Sequence, residues 1–314
     1  MNELKSTRVA LGDALLELAD SGLDVVALAA DTSKSMTVSI LKDKYPARIY
    51  DCGIAEQNMI MISAGLASTG KIVFAASYST FISMRALEQL RTFVCYPNLN
   101  VKIFAGMGGL SGGIEGATHM ALEDLGIVRC LPNLVVLNPA DYYATKKAVI
   151  EAAKIKDPCY IRVGRDATPV IFDDSYHFSI GKANLLIDDG NDFGLIASGI
   201  VLGSVLDASK KLKEKGYSFK LLEMPTLKPI DSQSIINLAR QTKKIFTIEE
   251  HNITGGLYSA VCEVLCRGCP SYVYPIATHD IFGESGTPAE LARKYRLDAE
   301  GIYSQIETTL KTGY

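Results

Sequence analysis

From residue 7 to residue 163 the chain alternates apolar strand-like runs with stretches of helical spacing, and this alternation constrains the fold most strongly. Val9, Ala10, Leu11, Ala14, Leu15, Leu16 and Leu18 space an amphipathic helix over 7–19. Strands are predicted at 24–29, 48–51, 72–75, 100–104, 134–137 and 159–163, with helices at 58–68, 83–96, 122–129 and 142–153. Parallel strands need helical crossovers, so the pattern predicts an α/β fold with a largely parallel sheet covered on both faces. Composition shifts at 169–179, where Asp173, Asp174 and Ser175 suggest a linker. A second series follows, with strands at 193–197, 218–223, 244–249 and 272–275 and helices at 201–215, 232–240 and 257–265. The expected domains are 1–172 and 180–314.

Bulk properties narrow the partners. The net charge of -3 leaves no basic footprint, which argues against nucleic acid or an anionic membrane surface. Residues 1–6 lack a signal-peptide core, and no apolar run reaches the roughly 18 residues of a membrane span. A cytoplasmic protein with reduced thiols is expected, since the seven cysteines are scattered and odd in number. Cys266-Arg267-Gly268-Cys269 is a single CxxC with no second pair and no nearby His, and chance spacing is the preferred reading.

Three loops carry chemistry. Asp51-Cys52-Gly53-Ile54-Ala55-Glu56-Gln57 places an acid where a small-residue helix begins; helix starts favour acids anyway, so Glu56 alone is weak evidence. Tyr78-Ser79-Thr80-Phe81 follows a strand, and core packing is the bland reading of its ring pair. Residues 106–119 hold six glycines in fourteen positions and end in Glu115-Gly116-Ala117-Thr118-His119. This loop matches neither the dinucleotide fingerprint nor the P-loop, and so many glycines suit close approach to a ligand better than a floppy connector.

Together and in this order, Gly53-Ile54-Ala55-Glu56-Gln57, Tyr78-Ser79-Thr80-Phe81 and Glu115-Gly116-Ala117-Thr118-His119 resemble the thiamine-diphosphate-binding pyrimidine domain of transketolases and 1-deoxyxylulose-5-phosphate synthases. Glu249-Glu250-His251-Asn252 and His279-Asp280-Ile281-Phe282-Gly283 are similar to the carboxy-terminal α/β domain of the same enzymes. Those enzymes hold the diphosphate and its Mg2+ with a further domain bearing Gly-Asp-Gly, a motif this sequence lacks. The resemblance therefore implies the carboxy-terminal subunit of a split transketolase. An amino-terminal subunit carrying Gly-Asp-Gly would supply the metal site, and self-association would give a heterotetramer.

The resemblance also implies roles. Glu56 would hydrogen-bond the cofactor's pyrimidine nitrogen, Phe81 would stack on the ring with Tyr78 beside it, and His119 would face the substrate. Glu115 stands where the family usually has Asp, a position associated with reading a ketose hydroxyl. Met107 stands where many members place a sugar-binding His. Arg165 would bind a sugar phosphate, with Ser33 or Ser35 adding a hydroxyl, whereas Arg162 reads as structural. His251 and the Gly255-Gly256 turn could form an anion nest and are also read as structural. The implied activity is transfer of a two-carbon ketol unit from a ketose, phosphorylated or not, to an aldose. The alternatives are a synthase that decarboxylates pyruvate, another thiamine-diphosphate carboligase subunit such as the β subunit of a 2-oxo-acid dehydrogenase, and a non-catalytic scaffold homologue.

Overall fold

The computed structural model describes residues 3–242 and 244–313. A short strand β1 (Leu4–Ser6) leads into the helix Thr7–Asp20, which Ser6 caps by accepting from the Arg8 N–H. The first large sheet then forms from β2 (Val25–Ala29), β3 (Ile49–Asp51), β4 (Ile72–Tyr78), β5 (Val101–Gly106), β6 (Val135–Leu137) and β7 (Cys159–Arg162). These six are parallel, in the order β6-β7-β5-β4-β2-β3. Helices cover both faces, which is why β2 and β5 are buried along their whole length and read as continuous apolar runs.

The strand β8 (Ala167–Pro169) pairs antiparallel with β1. The second sheet contains β9 (Asn184–Asp188), β10 (Phe193–Ser198), β11 (Phe219–Glu223), β13 (Lys244–Asn252) and β14 (Tyr272–Thr278), ordered β14-β13-β10-β11-β9 and parallel except for β9. Between β11 and β13 the chain reaches back: β12 (Thr226–Lys228) pairs antiparallel with β6 at the edge of the first sheet. One apolar cluster accordingly mixes Ile103, Leu125 and Tyr160 with Leu222, Met224, Leu227 and Leu257. The linker is also tied down, because Asp141 Oδ2 accepts from the Ile171 and Phe172 N–H groups at 2.8 Å each, while Oδ1 caps the helix Tyr142–Lys154.

The alternating series is present as read, with four added strands and two added helices. Strands β1, β8 and β12 have three residues each, and β9 is a five-residue segment whose apolar run Leu185-Leu186-Ile187 does not alternate, so none presents a usable period. Helices Pro288–Lys294 and Ala299–Thr312 lie beyond the last predicted element. The helical segment predicted at 83–96 contains two wide π turns, Phe81–Arg85 and Leu90–Cys95. Among the described residues no helix is long and apolar enough to cross a membrane.

Candidate active site

Strands β2, β3, β4, β5 and β7 all end on one edge of the first sheet, and the loop after each carries a residue singled out by sequence. That carboxyl edge is where open parallel sheets bind ligands. Ser33 and Ser35 follow β2, Glu56 follows β3, Tyr78 closes β4 with Phe81 just beyond, His119 ends the long loop after β5, and Arg165 follows β7.

Glu56 is positioned from behind by Asp51. Asp51 Oδ1 accepts from the Asp31 N–H (2.9 Å) and the Gly53 N–H (3.1 Å), and Gly53 adopts φ +69°, which turns the chain into the helix Glu56–Ser68. The Glu56 side chain is buried, with 2% of it exposed, and its Oε2 accepts from Arg85 Nη1 at 2.7 Å. The same guanidinium lies over Phe81, 4.5 Å from the ring centroid. The sequence reading missed Arg85. Its signal was a cation four residues after Phe81, a spacing that puts both on one side of a helical turn.

Three rings close the site. Tyr78 and Phe81 have centroids 5.8 Å apart, Phe81 and His119 stand edge to face at 5.2 Å, and Tyr78 and His119 lie at 5.8 Å. These separations are those of interacting aromatic pairs, so residues more than thirty positions apart in sequence form one wall. Thr118 Oγ1 contacts His119 Nδ1 at 3.0 Å, which leaves Nε2 available.

The glycine-rich loop is not floppy. Gly109–Gly113 are buried, and the glycines are set by close packing within the chain. A Cβ on Gly108 would stand 2.5 Å from the Arg162 side chain, and one on Gly109, itself at φ +69°, 2.5 Å from Glu250 Oε2. Arg162 is structural: its Nε donates to Asp124 Oδ2 at 3.0 Å, and Nη2 donates to the carbonyls of Ala121 and Glu250, locking loop and second sheet together. Met107 is buried.

The far end of the site is cationic. Arg165 Nη1 pairs with Glu115 Oε1 at 2.9 Å, joining two residues that the sequence had given separate tasks. Beside them Arg8, which sequence reasoning overlooked, donates from Nε and Nη2 to the Arg165 carbonyl and from Nη1 to Ser35. Burial and the like charge of Arg165 pull the Arg8 guanidinium below its ordinary value. Tyr78 donates to Ser35 Oγ at 3.1 Å, so Ser35 is the serine built into this network; the Ser33 contact is a local backbone one, its carbonyl accepting from the Ser39 N–H.

Behind this wall, Glu249 accepts from the Leu257 and Tyr258 N–H groups at 2.6 and 2.9 Å, so a carboxylate of the chain itself fills the helix start read as an anion nest. His251 is fully buried, contacting the Asn252 carbonyl through Nδ1 and accepting from the Gly126 N–H through Nε2. Both roles are structural.

An acid and an aromatic wall on the carboxyl edge of a parallel sheet define a cofactor-type site, and the relatives of this chain identify the class. Residues 4–170 match the transketolase pyrimidine binding domain, and residues 181–302 match the transketolase C-terminal domain. The chain belongs to the transketolase family. It is 42% identical over 310 residues to a Methanocaldococcus jannaschii chain described as a transketolase C-terminal section, covering 98% of this chain and 97% of that one. It is 38% identical to one of the subunits of an apulose-4-phosphate transketolase from Phocaeicola vulgatus, covering 96% of each. A solved structure described as a split gene transketolase, inactive beta4 tetramer, superposes with a TM-score of 0.90 at 41% identity, covering 98% of both chains. The two domains, in this order, are those that the matched carboxy-terminal section and split-transketolase subunit share with this chain over nearly their whole length.

Proposed function

We propose that this chain is the carboxy-terminal subunit of a cytoplasmic two-subunit transketolase, active only with an amino-terminal partner whose Gly-Asp-Gly motif holds Mg2+ and the diphosphate. Residues 1–172 and 180–314 are its two domains. Alone it self-associates without activity, and with its partner it forms a heterotetramer. The observation that carries the reading is the buried Glu56 carboxylate standing beside the Phe81–His119–Tyr78 wall.

These residues fit thiamine diphosphate. A flat group with N–H donors already rests in the angle between the Glu56 carboxylate and the Phe81 face, in the form of the Arg85 guanidinium. When bound, the cofactor supplies the carbanion-stabilising chemistry of ketol transfer. Glu56 would share a proton with the pyrimidine nitrogen through a carboxylate oxygen, while Phe81 and Tyr78 orient the ring and keep water from it. His119 Nε2 would hold or move a proton at the substrate carbonyl oxygen. Arg165, with Arg8 behind it, is the anion end for a sugar phosphate, and Glu115 sets both the fork of Arg165 and the hydroxyl that the site accepts.

The test is co-expression with the partner, followed by product analysis with a ketose phosphate and an aldose phosphate, and separately with pyruvate and an aldose phosphate. Ketol exchange without carbon dioxide release is expected. Decarboxylation of pyruvate would replace this reading with the synthase, and inactivity with both would replace it with the scaffold.

A further inference from the structure

We infer that Arg85 is a place-holder for the cofactor's aminopyrimidine ring, exchanged for it when the cofactor binds; this rests on the function proposed above. Arg85 engages both groups that the ring needs. Its Nη1 donates to Glu56 Oε2 at 2.7 Å, and its guanidinium carbon lies over the Phe81 ring, 4.5 Å from the centroid. A guanidinium and an aminopyrimidine share the relevant chemistry, since each is flat, stacks on an aromatic face and presents an N–H edge to a carboxylate. Glu56 Oε2 cannot accept from Nη1 and share a proton with a pyrimidine nitrogen along the same direction. The two occupants are therefore alternatives.

The remaining contacts suit a displaceable group. Almost half of the Arg85 side chain is exposed, whereas its partner Glu56 is buried. The guanidinium has no other hydrogen bond or ion pair among the described residues. The turn Phe81–Arg85 is a π turn, closed by the Ala86 N–H on the Phe81 carbonyl at 3.1 Å, and such turns recur at functional sites. In the free subunit Arg85 gives the buried carboxylate a charged donor and covers an aromatic face. On cofactor binding it swings outward.

Titration calorimetry of thiamine diphosphate, with Mg2+, into the reconstituted two-subunit complex tests the exchange. Arg85→Met is expected to tighten cofactor Kd about two- to five-fold, the scale of removing a partly exposed ion pair. Arg85→Lys, which keeps the charge and loses the plane, should fall between. The isolated chain supplies a second readout: Arg85→Met should melt below the wild type when free, because Glu56 loses its donor, and this deficit should close in the cofactor-loaded complex. An unchanged or weakened Kd in Arg85→Met would overturn the exchange and make Arg85 a support that stays in place. Glu56→Gln is the control for the underlying reading. If the wild-type complex binds no cofactor, or Glu56→Gln binds as tightly as wild type, the cofactor site itself is refuted and the exchange goes with it.

Discussion

A carboxylate taken out of water needs hydrogen-bond donors, and Glu56 receives one from Arg85 while standing on the wall that Phe81, Tyr78 and His119 build. Glu56→Gln keeps the shape and removes the acid. In the reconstituted complex it should lower the rate of ketol transfer by about 100-fold or more, with an unchanged elution volume on size exclusion. Arg165→Ala frees Glu115 and removes the guanidinium fork. It should raise KM for phosphorylated sugars about ten-fold and leave unphosphorylated ones nearly unaffected, as initial rates on matched substrate pairs will show. Glu56, Tyr78, Phe81 and His119 were legible because short motifs carried them. Arg8 and Arg85 were not, and the choice between Ser33 and Ser35 stayed open, because an arginine or serine acquires meaning only from what folds against it.

Among the elements, the helix Leu257–Gly268 shows how a local reading can be right about a feature and silent about its occupant. The helix start after the Gly255-Gly256 turn does present N–H groups, those of Leu257 and Tyr258, and Glu249, eight residues before Leu257 on β13, accepts from both, while the Gly255 N–H donates to Ser259 Oγ. Glu249→Gln should cost about 1–3 kcal/mol in urea unfolding, because a buried, charge-assisted cap is replaced by a weaker one. Gly109→Ala should cost a similar amount, since it combines a positive φ with a clash against Glu250, and it should also lower kcat by displacing the loop that carries His119. Long periodic segments were readable at this scale. The short edge strands β1, β8 and β12 were not; β12 exists only where the edge of β6 is there to pair with it, and β1 and β8 only pair with each other.

For the molecule as a whole, two desolvated carboxyls give stability a pH dependence, Glu250 facing Arg162 of the first sheet and Glu223 bonded to Tyr176 and Asn184 in the linker and second sheet. Burial pushes the carboxyl of Glu250 up to about 7, against the opposing pull of Arg162 and the Leu110 N–H. Burial does the same to Glu223, also to about 7, against Asn184 and Tyr176. In both cases the folded carboxyl binds its proton more tightly than the unfolded one does. Their contribution is full below about pH 4.5 and falls as pH rises toward 7. Thermal melts between roughly pH 5 and 8 should therefore show less loss of stability in Glu250→Gln than in wild type, by about 1–3 kcal/mol.

The sequence by itself determined the alternation that makes a parallel sheet, the division into two α/β units, and the motifs that place an acid, two rings and an imidazole on consecutive loops. Those features are local in period or spacing, and physical chemistry acts on them before the chain is folded. Only the tertiary structure decided that the five loops converge, that Arg85 stands between Glu56 and Phe81, that Glu115 and Arg165 form one pair, and that the glycines of the long loop serve Arg162 and Glu250. Each of these depends on residues tens of positions apart meeting across strands whose order, β7-β5-β4-β2-β3, is not their order in the chain.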